Sequence, residues 1–241
     1  MYNELFRMIY PRKCPGCGDV ISPEMLVCGR CSDSFRPVRG PHCFKCGRQL
    51  EDETGEYCDE CTGKGHHYSV GFSALMYDGA TRKAMSDLKF GGLAENADFF
   101  AAKAYELCSE RVRAFAPDIM VPVPIHPSKM RKRGYNQAQL ITDRLSVILG
   151  IGAVNDLLLR TKKTRAQKLL DAGSRTDNLR DAFTCDLSRY SHDLISGRFR
   201  KVLLVDDIYT TGATMECCTN ALLEAGVSTV GILSAAMGCT Y

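Results

Sequence analysis

The sequence predicts an α/β fold: a mainly parallel sheet with helices on both faces, preceded by a small metal-stabilised domain. Three observations predict it. From about Tyr68 onward, strand-length apolar runs alternate with stretches of helical period, the pattern of a parallel sheet with crossover helices. Before that point lie eight cysteines in Cys-x-x-Cys pairs and few long apolar runs. Residues 202–214 read as a buried strand, two carboxylates, a short Thr/Gly loop and the start of a helix.

The elements follow in order. Residues 1–10 carry Leu5, Phe6, Met8 and Ile9 and read as a short helix packing on the body. The pairs Cys14/Cys17, Cys28/Cys31, Cys43/Cys46 and Cys58/Cys61 are separated by ten, eleven and eleven residues. Two sulfurs two residues apart on a tight turn both reach one tetrahedral metal at ~2.3 Å. Gly18 and Gly47 each follow the second Cys of a pair, where a knuckle turn favours positive φ. Four pairs make two structural Zn²⁺ sites in tandem ribbons, grouped sequentially (Cys14, Cys17, Cys28, Cys31; then Cys43, Cys46, Cys58, Cys61) or interleaved. Disulfides or a redox dithiol are the alternatives, and the repetition argues against both. Residues 1–67 cannot bury enough surface to fold alone, so metal supplies the stability. Residues 61–67 read as the linker to a second domain, 68–241. Phe35, Phe44, Tyr57 and Tyr68 read as a miniature core sooner than as base-stacking platforms.

In the second domain, residues 69–77 read as a strand. Helical period runs through 80–90 and 94–115, broken at Gly91-Gly92. Residues 118–124 form a strand ending in a Val-Pro-Val-Pro turn, and 135–149 a helix. A strand at 156–160, a polar loop and a short helix around 175–180 come next. Strands at 182–185 and 201–207, a helix reaching 225 and a strand at 229–237 complete the domain. Cys108, Cys185, Cys217, Cys218 and Cys239 sit in apolar contexts and read as small core residues.

Composition sets bounds. With 241 residues, 45% apolar and 24% charged, the chain has the makeup of an ordinary globular protein. Its longest apolar stretches are strand-length, short of the ~20 residues that cross a membrane, so no membrane insertion is expected. No charged segment precedes an apolar one at the start, which speaks against a secretory leader. Unpaired thiols and zinc point to the cytoplasm.

Function is concentrated in the 202–214 run. In an open α/β sheet, ligands bind beyond the carboxyl ends of the strands, and a helix N-terminus offers amides to an anion. Asp206 and Asp207 therefore offer carboxylates to sugar hydroxyls, beside Thr210, Thr211, Gly212, Ala213 and Thr214 for a phosphate. That combination describes a cradle for ribose 5-phosphate. A strand ending in an acidic helix cap is the plain alternative. Charge agrees with the cradle: residues 126–168 hold ten Lys/Arg against Asp143 and Asp156, a net +8, whereas residues 1–67 are at −1. A cleft with such a field attracts a polyanion.

The 202–214 run resembles the phosphoribosyl pyrophosphate (PRPP) motif of type I phosphoribosyltransferases. With the cysteine pairs, the Val121–Ala138 and Leu159–Leu170 segments, and Tyr77, Lys89 and Phe90, it makes the whole chain similar to the ComF family of bacterial DNA uptake. The resemblance implies a phosphoribosyltransferase fold behind a double zinc ribbon, and a link to natural transformation. It implies that Asp206 and Asp207 hold the ribose and that Thr210–Thr214 wrap the 5′-phosphate. Residues 121–128 then form the pyrophosphate loop, stiffened by prolines, with Lys129, Arg131 and Arg133 for pyrophosphate or for a nucleic-acid backbone. Residues 162–167 correspond to a loop that closes over PRPP. Mg²⁺ accompanies PRPP, and no covalent nucleophile is expected. His126 reads as structural sooner than as a base. Two classes of function follow: a PRPP-dependent transferase, or a non-catalytic adaptor that senses PRPP or grips single-stranded DNA. A helicase-like DNA-uptake ATPase is the implied partner. Only residues 71–115 and the zinc domain are candidates for an acceptor-binding hood.

Overall fold

The computed structural model describes residues 11–52, 54–63, 65–161 and 182–238. The expected helices at 1–10 and 175–180, the 162–167 loop and Cys239 lie outside them.

The frame is a five-stranded parallel sheet in the order β1-β7-β6-β2-β3. Its strands are β1 (Val70–Met76), β2 (Ile119–Pro122), β3 (Gly152–Ala153), β6 (Lys201–Tyr209) and β7 (Thr229–Met237). Central β6 is anchored by Val202, Leu203, Leu204 and Val205, all 0% exposed. At roughly 1.5–3 kcal/mol for each buried side chain, that run fixes where the strand ends. Its side chains alternate between two cores. Leu203 and Val205 face the side covered by helices α2 (Gly79–Phe90), α3 (Asn96–Phe115) and α5 (Gln137–Leu149). Val202 and Leu204 face the side covered by helix α7 (Ala213–Glu224).

Two expected strands lie outside this sheet. β4 (Leu158–Arg160) and β5 (Phe183–Cys185) pair antiparallel with each other and pack against α7. The parallel edge position is taken instead by two-residue β3 beside β2. Helices α4 (Pro127–Arg133) and α6 (Leu187–Ile195) were not expected from the sequence.

The zinc-ribbon segment is built into the sheet edge. Val38 N–H donates to the Ala74 carbonyl and Met76 N–H to the Arg36 carbonyl, each at 2.8 Å, around an antiparallel bridge between Pro37 and Leu75. Gly71 N–H donates to the Phe44 carbonyl at 3.1 Å. A Cβ on Gly71 would stand 2.5 Å from the Cys46 carbonyl carbon, so glycine is what admits the second ribbon. The exposed edge of β1 is thereby covered. Elsewhere Arg12 pairs with Asp98 of α3, and Lys13 N–H donates to Glu95 at 3.0 Å.

The segment read as a linker is pinned. Short helix α1 (Asp59–Gly63) occupies its start, the His66 ring stacks on Tyr68 at 4.8 Å, and His66 and His67 both pair with Glu216 of α7. Of the four aromatics assigned to a miniature core, Phe35 and Tyr68 are buried, but within the cores of the sheet domain. Phe44 and Tyr57 are exposed and meet edge to face at 6.3 Å.

Candidate functional site

The eight paired cysteines form two sequential tetrads, Cys14, Cys17, Cys28, Cys31 and Cys43, Cys46, Cys58, Cys61, the sulfurs of each lying within 4.8 Å of one another. A tetrahedron with Zn–S bonds of ~2.3 Å has edges of about 3.8 Å. The Sγ separations are 3.6 Å for Cys14–Cys28, 3.9 Å for Cys17–Cys28 and 3.7 Å for Cys46–Cys58, as structural Zn²⁺ requires. Gly18 (φ +86°) and Gly47 (φ +76°) close the knuckles as expected.

The second centre lies at the carboxyl end of β6. Period-two alternation sends its two acids to opposite faces. Asp207 is buried, and its Oδ1 accepts from Lys89 Nζ of α2 at 2.9 Å. Asp206 is half-buried on the α7 side, its Oδ1 accepting the Asp207 N–H at 2.8 Å. Burial first and the Asp207 charge second push the Asp206 carboxyl up to about 8, against the Asp207 amide, Lys89 and Arg160, which favour its charge.

The turn after β6 is held from below. Tyr209 and Tyr68 hydroxyls share a buried hydrogen bond of 2.9 Å, and burial keeps both phenols protonated. Gly212 lies on that pair with φ +77°; a Cβ there would fall on the Tyr209 hydroxyl and 3.1 Å from that of Tyr68. Thr210 and Thr211 are exposed, Ala213 and Thr214 half-buried. The N-cap residue Gly212 supplies no side-chain cap to α7, so the first-turn amides, which have no partner inside a helix, follow Asp206 and the Thr/Gly turn uncapped. Arg48 of the second ribbon donates to the Thr210 carbonyl at 3.3 Å. Glu216, in the first turn, would be raised by burial; hydrogen bonds from His66 and His67 overcome that and hold it at about 2.

Basic residues surround the acids. Lys129 and Arg133 lie on α4, a helix where a loop was expected. His126 explains the difference: its Nδ1 accepts the Ser128 N–H at 3.1 Å, capping the helix ahead of Pro127 at N1. Partial burial and the charges of Arg160, Arg133 and Lys89 depress the Lys129 ammonium, with Asp207 opposing them. Arg133 stacks on Phe90 at 4.8 Å. Arg131 is exposed. Arg160, lying over the Phe183 ring at 5.1 Å, acts on Asp206 from the antiparallel β4–β5 pair. Lys89 and Arg160 had no assigned role in the sequence. The position of Lys89, one residue before a helix end, was the available signal. The site thus joins paired acids, free amides and at least four cations at one sheet edge.

This architecture defines a phosphoribosyltransferase-type domain fused to a zinc ribbon. Residues 5–62 match the double zinc ribbon domain, and residues 135–237 the phosphoribosyl transferase domain. Over 208 residues the chain is 27% identical to competence protein F of Haemophilus influenzae, covering 85% of this chain and 88% of that protein. It is 24% identical to competence protein ComFC of Bacillus subtilis over 86% of this chain and 82% of that one. It is 33% identical to DNA utilization protein YhgH of Escherichia coli over 48% of each. The chain is thus similar to competence proteins of the ComF type over most of its length. Among the described residues, no helix is long and apolar enough to cross a membrane.

Proposed function

We propose that this protein binds PRPP with Mg²⁺ at the end of β6 and transfers its phosphoribosyl group, in the service of DNA uptake or utilisation. One observation carries the reading: Asp206 and Asp207 end the strand whose next turn opens, uncapped, into α7, ringed by Lys89, Lys129 and Arg160. Asp206 and Asp207 hold the ribose hydroxyls, and Thr210–Thr214 with the α7 amides hold the 5′-phosphate. Lys129 and Arg133 receive the departing pyrophosphate. Mg²⁺, bound with PRPP near Asp206 and Asp207, would supply neutralisation of the pyrophosphate charge. Because the transition state at C1 is oxocarbenium-like, positioning and electrostatics do the catalytic work. The names of the competence and DNA utilization relatives support the cellular link.

The test is calorimetric titration with PRPP. Binding is expected only with Mg²⁺, and Asp206→Asn/Asp207→Asn should weaken it at least a hundredfold. Wild-type affinity in that variant overturns the assignment.

A second reading, contact with single-stranded DNA, is favoured by the exposed Arg131 and Lys132 on α4. Phosphate contacts of that kind weaken steeply with salt. Arg131→Ala/Lys132→Ala should lower DNA affinity and its salt slope while leaving PRPP binding intact.

A further inference from the structure

A cavity of about 590 Å³ lies between the second zinc ribbon and the carboxyl ends of β1 and β7. Met76, Met237 and Gly238 form its floor, and the ribbon segment between the two Cys-x-x-Cys knuckles forms its walls, Tyr57 among them. It adjoins the phosphate turn. Gly238 N–H donates to the Tyr209 carbonyl at 2.7 Å, and Arg48, another lining residue, donates to Thr210.

Its place in the sheet order matters. β6 is flanked by β2 on one side and β7 on the other. β2 leads into α4 with its Lys129 and Arg133, where the leaving pyrophosphate belongs. An acceptor attacking C1 in line must arrive from the opposite side, which is the β7 side and this cavity. The walls there have the other sign of charge: Glu51, Asp52, Asp59 and Glu60 against Arg48. Glu60 is engaged by Arg48 at 3.0 Å and Asp52 by Thr54. Glu51 and Asp59 are exposed to the cavity mouth.

We propose that this cavity is the acceptor site, with the second zinc ribbon as its hood, and that it takes a phosphate-free nitrogen nucleophile, a nucleobase or a primary amine. The inference rests on the PRPP reading above. The volume is that of a small-molecule site. Tyr57 and the two methionines offer apolar faces to a planar or aliphatic group. The carboxylates accept N–H donors and repel phosphate, which excludes nucleotides and nucleic-acid strands as acceptors. The acceptor nitrogen's lone pair forms the bond to C1 while the C1–O bond breaks, its electron pair leaving on pyrophosphate. The nitrogen's proton passes to Glu51 and then to solvent.

The test uses the full chain, with adenine, guanine and putrescine as phosphate-free probes and AMP as the phosphorylated one. Calorimetry reads the affinity of each probe with and without PRPP, and pyrophosphate release reads turnover. At least one phosphate-free probe should bind and release pyrophosphate, and AMP should do neither. Tyr57→Ala and Glu51→Gln/Asp59→Asn should weaken that probe at least tenfold with PRPP affinity within twofold of wild type. Preference for AMP, unchanged probe affinity in both variants, or PRPP binding with no probe bound would each overturn the acceptor site. A wild-type protein that fails to bind PRPP would overturn the function proposed above, whereas probe binding alone still reads on the cavity.

Discussion

Lys89 Nζ lies 2.9 Å from Asp207 Oδ1, joining the last turn of α2 to the carboxyl end of β6 across 118 residues of sequence. The side chains are only 17% and 7% exposed, so each charge depends on the other for compensation. This pair ties the helix following β1 to the acid that the proposed site requires, and it sets the charge around Asp206 as well.

Removing one partner should therefore cost more than removing both. Lys89→Met leaves a buried carboxylate uncompensated, and a loss of about 3 kcal/mol in urea unfolding is expected. Lys89→Met/Asp207→Asn should recover much of it. A double-mutant cycle giving no coupling would show that the pair does not hold the helix to the strand.

Asp206 gives a pH signature. Its carboxyl is pushed up to about 8 by burial and by Asp207, from roughly 3.9 in an unfolded chain. Between those values the folded state binds the extra proton, so this group's contribution to stability falls as pH rises from about 4 to 8 and is flat above. Asp206→Asn should remove that slope, melting above wild type at pH 8.5 with the margin shrinking by pH 5. If the ionised form grips ribose, PRPP affinity should rise through the same window and level off past pH 8. An unchanged margin at the two pH values would refute the assignment.

Gly212 separates two kinds of constraint. Its φ of +77° is shared by Gly134 at +82°, but a Cβ on Gly134 meets nothing within 4 Å, whereas one on Gly212 falls on the Tyr209 hydroxyl. Gly134→Ala should cost about 1 kcal/mol from backbone conformation alone. Gly212→Ala should cost on the order of 2 kcal/mol or more, by breaking the Tyr68–Tyr209 contact as well, and should weaken PRPP binding. Equal melting temperatures for the two variants would count against the tyrosine support.

What the sequence made legible was local. The β6 run, the twin acids and the Cys-x-x-Cys spacing each sit within a dozen residues, and β7 is found at the bounds expected. What it hid was pairing at a distance. β4 and β5 are three residues each, too short to show which partner they take, so a parallel sheet claimed them wrongly. Helix α6 is nine residues long, with Leu187, Tyr190, Leu194 and Ile195 at helical spacing, a short stripe that the sequence reading passed over between two strands. Helix α4 has no fully buried residue; its basic run read as loop, and the His126 cap with Pro127 at N1 explains its start. The contacts of Lys89 with Asp207 and of Gly71 with Cys46 join residues far apart in the chain, and no spacing rule reaches them.

The two zinc tetrads should differ in what they support. Cys17 is exposed, in a ribbon tied to the body by side-chain contacts such as Arg12 with Asp98. Cys46 is buried, and its backbone rests on Gly71 of β1. Structural zinc sites of this kind contribute on the order of 10 kcal/mol to local folding, so losing either metal should melt its own ribbon. The second ribbon holds the edge of the sheet through Gly71 N–H to Phe44, whereas the Met76 N–H bond to Arg36 is made by the segment between the ribbons. Cys17→Ser and Cys46→Ser should each lower zinc content from two to one. Hydrogen exchange should then speed up at Gly71 in Cys46→Ser alone. Exchange that accelerates equally in both variants, or in neither, would mean that the second ribbon does not guard β1.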